Sequence, residues 1–126
     1  MSKIGIFRCQ GNEKKCPLTN CLLSLQQGKQ AFSSYDEVEL YGVFSLQEDF
    51  EENVNLANIM KSKGVEVIHI VTCAFSNKSS GKNWELGGGY CSNVDSLAEK
   101  IARETGLPCV KGTAHLPQEY ELESFT

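Results

Sequence analysis

The sequence predicts an α/β domain built on a parallel sheet. Three observations carry that expectation. The stretch Val65-Glu66-Val67-Ile68-His69-Ile70-Val71-Thr72-Cys73 has eight apolar, β-branched or ring residues out of nine, as in a strand covered on both faces. Strand and helix patterns alternate three times along the chain and end on a strand, which right-handed crossovers convert into parallel neighbours. A chain of 126 residues is long enough to bury one core of two or three layers without disulfide staples.

Each element has its own signature. Lys3-Ile4-Gly5-Ile6-Phe7-Arg8-Cys9 reads as a first strand followed by a loop over Gln10 to Lys15. Pro17 then suits the opening turn of a helix, and Leu18, Leu22, Leu25 and Phe32 recur at helical spacing to about Ser33-Ser34. Glu37-Val38-Glu39-Leu40-Tyr41-Gly42-Val43-Phe44 is a second strand, and its alternating first half places it near an edge. A second helix follows, with Asp49, Glu51 and Glu52 at its positive end, Val54, Leu56, Ala57, Ile59 and Met60 on its apolar side, and Gly64 as terminator.

After the central strand, Ala74 to Tyr90 is the longest irregular segment, rich in Ser, Asn and Gly; it is expected to cover a site, with Trp84 and Tyr90 as shields. Ser92-Asn93-Val94-Asp95 has the capping pattern of a third helix, carried on through Leu97, Ala98, Ile101 and Ala102 to Gly106. Leu107 to Thr113 is a short fourth strand at the sheet edge. The expected architecture is a three-layer α/β/α sandwich with a four-stranded parallel sheet in the order 2-1-3-4, flavodoxin-like, over residues 1–115. Residues 116–126 form an acidic tail, whose structure as a helical turn or a marginal strand the pattern leaves open.

Charge and composition narrow the function. A formal net charge of −4, a pI near 5.2 and the lack of a lysine or arginine cluster argue against nucleic acid and anionic membrane surfaces as partners. Met1-Ser2-Lys3 leads straight into the first strand, and no apolar run is long enough for a bilayer, so a cytoplasmic protein is expected. Six cysteines in a reducing compartment point to metal or thiol chemistry before structural disulfides.

Open parallel sheets carry their chemistry beyond the carboxyl ends of the strands. The predicted topology places Cys9 and Cys73 at the ends of adjacent strands, Cys16 and Cys21 in the first connection, Cys91 at the start of the third helix and His115 after the fourth strand. Five thiols and an imidazole therefore share one edge, a donor set suited to zinc or, second, an iron–sulfur centre. Cys109 lies at the opposite end of its strand and reads as core. His69 shares the face of Cys73 by strand parity, although a histidine inside a strand is ordinarily a hydrogen-bonded core residue.

The succession Arg8-Cys9, Cys16-Pro17 to Cys21, Gly42-Val43-Phe44, Val67 to Cys73 and Gly112-Thr113-Ala114-His115 resembles the CGGC domain, a small cysteine-rich family. The likeness runs from Lys3 to His115 and implies metal binding, with no established reaction. The Cys-Gly-Gly-Cys motif of the family belongs after the second strand, where this chain has Leu46-Gln47-Glu48-Asp49, so it reads as a divergent member. Asp49 offers an oxygen ligand there, but a solvated helix-start carboxylate is the simpler reading.

Two alternatives use the thiols differently. In one, Cys16 and Cys21, or Cys9 and Cys73, cycle through a disulfide, although the chain has no Cys-x-x-Cys pair. In the other, Cys9-Gln10-Gly11-Asn12-Glu13-Lys14-Lys15 is similar to the phosphate loop of low-molecular-weight protein tyrosine phosphatases, with Cys9 as nucleophile. No arginine follows Cys9 in that loop, and the tail after His115 offers only glutamates where such enzymes need an aspartic acid, so phosphatase chemistry is the weaker of the two. Whether the chain is an enzyme, and which protein it meets, is not written in these patterns.

Overall fold

A computed structural model describes residues 2–12, 14, 16–77, 85, 86, 89, 93–117 and 120–126. The elements are β1 (Ser2–Arg8), α1 (Thr19–Gln27), β2 (Val38–Ser45), α2 (Phe50–Ser62), β3 (Val67–Ile70), β4 (Ser76–Asn77), β5 (Glu85–Leu86), α3 (Val94–Thr105), β6 (Cys109–Lys111) and β7 (Glu123–Phe125). The main sheet has the order β2-β1-β3-β6-β7. Its first four strands are parallel in the predicted order, and β7 pairs antiparallel with β6.

The sheet therefore has five strands where the sequence pattern gave four. The extra one comes from the tail: the Tyr120 hydroxyl donates to the Lys111 carbonyl at 2.7 Å, and Lys111 Nζ meets Glu123 at 3.5 Å and Asp95 of α3 at 2.6 Å. A buried lysine flanked by carboxylates thus draws an acidic segment onto the edge that β6 would otherwise expose.

Register fixes the faces. Ile6 pairs with His69 and His69 with Val110, which places these three on one side; Gly5, Ile68 and Cys109 share the other. A Cβ built on Gly5 would sit 2.7 Å from Met60 Sδ and 3.1 Å from Val65 Cγ1, so α2 lies directly over β1 there. Because the nearest atom belongs to a flexible methionine, Gly5→Ala is expected to cost only about 1–2 kcal/mol, read as a lower urea midpoint with an unchanged slope.

Two other boundaries moved inward. The first helix stops at Gln27 because Gly28 adopts φ +65 as its C-cap, and Phe32 belongs to a separate turn at residues 30–32. The central strand ends at Ile70, and residues 72–74 form a short 3-10 turn, so Cys73 sits in a turn and strand parity does not carry from His69 to it. The long segment after it contains the small antiparallel pair β4–β5. Trp84, Tyr90 and Cys91 lie outside the described residues.

Candidate thiol site

The carboxyl edge begins with a clamp between two strands. Thr72 N–H donates to Thr113 Oγ1 at 3.3 Å, and Thr113 N–H donates to Thr72 Oγ1 at 3.0 Å, tying the exits of β3 and β6 together. Both threonines are buried, so their polar atoms need these partners. The same Thr113 hydroxyl lies 3.1 Å from Cys21 Sγ. Cys21 is in the first turn of α1, and the clamp sets where that turn rests.

Cys21 is the best defined of the candidate residues. Burial pushes its thiol up from the ordinary value, while the Thr113 hydroxyl and the Ala114 N–H pull it down; Cys16 raises it and the Arg8 guanidinium lowers it through their charge. The Cys16 thiol and the Arg8 guanidinium therefore both reach Cys21 through their charge. Cys16 is half-buried, and its Sγ accepts the Leu18 N–H at 3.4 Å. Arg8 ends β1, and its Nη2 donates to the Cys16 carbonyl. Arg8 Nε is buried and, among the described residues, has no hydrogen-bond partner.

The remaining described candidates lie on other segments of the chain. Cys9 follows β1 directly and is buried at 2 % exposure; Cys73 is half-buried in its turn after β3. His115 is exposed at φ 52, and its Nε2 accepts from Asn20 Nδ2 at 2.8 Å, which brings it to the first turn of α1 beside Cys21. Cys109 is fully buried, and burial pushes its thiol up to about 12, as a core residue requires.

Backbone strain gathers at the same edge. The described non-glycine residues with positive φ are Leu18, Gln30, Asn93 and His115. Leu18 and Asn93 cap the starts of α1 and α3, His115 follows β6, and the Gln30 side chain accepts from Leu116 N–H at 3.3 Å. Such conformations cost energy and persist where surrounding contacts hold them, and functional sites are where they collect. A cleft of about 360 Å³ between the end of α1 and the start of β2, lined by Leu25, Phe32, Tyr35 and Val38, includes none of the cysteines.

The place of the missing Cys-Gly-Gly-Cys motif is built as a closed turn. Leu46 is buried, and its N–H donates to the Arg8 carbonyl at 2.8 Å. Gln47 N–H donates to Asn53 Oδ1 at 2.8 Å, and Asn53 Nδ2 returns a bond to Gln47 O at 2.9 Å. Asp49 caps α2 by accepting the Glu51 N–H at 2.9 Å, which agrees with a helix-start role for this carboxylate.

The CGGC domain family model matches residues 3–114. The chain belongs to the CGGC domain family. Neither a curated protein nor a solved structure matches the chain. In this CGGC domain no group of three or more His, Cys, Asp or Glu residues able to hold a metal ion occurs among the described residues. The described donors alone thus do not fit a closed zinc or iron–sulfur shell, which takes four ligands, and the Arg8 charge beside Cys21 disfavours a cation. Among the described residues no helix is long and apolar enough to cross a membrane.

Arg8, Thr72, Thr113 and Asn20 were not readable as site residues from spacing. The two threonines had one usable signal: each stands just beyond a strand's carboxyl end, where a hydroxyl is poorly placed for a core.

Proposed function

We propose that this CGGC domain is a thiol–disulfide exchange protein that uses Cys16 and Cys21. The supporting observation is the shared environment of the two thiols: Cys21 held by Thr113 and Ala114, and acted on by both Cys16 and Arg8. The more accessible Cys16 thiolate attacks one sulfur of a disulfide, forming a mixed disulfide and releasing the first thiolate. Cys21 then attacks the Cys16 sulfur and expels the second, with its proton passing to solvent. The protein loses two electrons and the substrate disulfide gains them. Thr113 and Ala114 stabilise the Cys21 thiolate as it forms.

The test is to expose the full chain to an oxidised low-molecular-weight disulfide and map the products by peptide mass. The expected result is one Cys16–Cys21 disulfide, the chain lighter by two hydrogens, fully reversed by a dithiol reductant. Separate mixed disulfides on Cys16 and Cys21 that never resolve would sink this reading.

A second reading is metal capture, supported by family membership. It takes zinc or an iron–sulfur centre as the group and Cys9, Cys16, Cys21, Cys73, Cys91 and His115 as the donors to draw on. Cys91 lies outside the described residues. Stoichiometric metal on anaerobically purified protein, released together with several newly reactive thiols on chelation, would favour it over exchange.

A further inference from the structure

Building on the exchange reading, we propose that Arg8 makes the Cys16–Cys21 site selective for anionic disulfides, by donating its unpartnered Nε–H to a carboxylate of the substrate. A guanidinium has five N–H donors in a fixed planar fork, and its Nε edge meets a carboxylate with two parallel bonds. In this protein Nη2 is committed to the Cys16 carbonyl, which fixes the plane of the group beside the thiol-bearing residue. Nε is buried with no described partner, and a buried donor left unmade is unfavourable until a ligand takes it.

Charge supports the same assignment. The guanidinium is bonded to the Cys16 carbonyl, so an anion held by Arg8 lies at the residue that carries the attacking sulfur. The chain as a whole carries −4, and general attraction would favour a cationic substrate. A preference for anions must therefore come from the site. The arginine lies on the strand before Cys9, outside any loop that follows it, which separates this arrangement from a phosphate loop.

The experiment compares three disulfides on the full chain: 5,5′-dithiobis(2-nitrobenzoate), which is anionic, 2,2′-dithiodipyridine, which is neutral, and cystamine, which is cationic. The readout is the rate of Cys16–Cys21 disulfide formation by peptide mass, in the natural chain, Arg8→Gln and Arg8→Lys. The expected result is an anionic-to-neutral rate ratio about ten-fold lower in Arg8→Gln, partly restored in Arg8→Lys; the ratio cancels any change in the thiols themselves that both substrates share. Equal ratios with and without Arg8 would overturn the assignment while leaving the exchange reading intact. Failure of all three disulfides to form the Cys16–Cys21 bond would overturn both.

Discussion

Cys21→Ser is expected to trap the protein as a mixed disulfide on Cys16, whereas Cys16→Ser is expected to slow reaction with small disulfides by on the order of ten- to a hundred-fold. The asymmetry follows from position. Cys16 is half-buried before α1, while Cys21 is buried against Thr113, with its thiol raised above the ordinary value chiefly by burial. An incoming disulfide meets Cys16 first, and Cys21 is placed to resolve. Intact-mass measurement after a brief exposure to oxidised glutathione checks it: one retained adduct in Cys21→Ser, little modification at Cys21 in Cys16→Ser. Equal adducts on both variants would mean that the two thiols are independent, and the exchange mechanism would fail.

The fold was largely legible because its signals are local and repeated. The apolar run from Val65 to Cys73 and the alternation of strand and helix patterns gave four parallel strands in their observed order. Gly28 was the missed stop, hidden by Leu25 and Phe32 continuing at helical spacing across it. The fifth strand was unreadable for a different reason: Glu123–Phe125 is too short to show a period, and what places it is the long-range meeting of Lys111 with Glu123.

The site was legible as an edge and illegible as a constellation. Counting thiols at strand ends places Cys16, Cys21 and His115 on the rim of the candidate site, since topology alone decides which end of a strand a residue occupies. It had no means to see that Thr72 and Thr113 bond to each other across two strands, or that Arg8 folds back onto the Cys16 carbonyl. Those contacts depend on side-chain direction and on loop paths that spacing does not encode. The expectation of His69 as a hydrogen-bonded core residue was met by equally long-range partners, Tyr35 and Gly112.

His69 makes stability depend on pH. It is fully buried, its Nδ1–H donates to the Gly112 carbonyl at 2.8 Å, its Nε2 accepts the Tyr35 hydroxyl at 2.8 Å, and its ring lies 4.5 Å from that of Phe32. Burial holds its pKa down at about 4 against an ordinary 6.5, so the folded chain keeps the ring neutral where the unfolded chain binds a proton. Stability from this residue is therefore complete above 6.5 and is lost as pH falls towards 4. Linkage puts the loss between pH 7 and pH 5 at about 2 kcal/mol. His69→Gln, which cannot titrate, should show a urea midpoint lower at pH 7 but nearly flat over that interval. His69→Ala should cost about 3–5 kcal/mol outright, since it empties a packed position and strands the Tyr35 hydroxyl and the Gly112 carbonyl. A natural chain as flat as His69→Gln between pH 7 and pH 5 would mean that the ring protonates without leaving its partners, and that the Tyr35–His69–Gly112 series is looser than its distances imply.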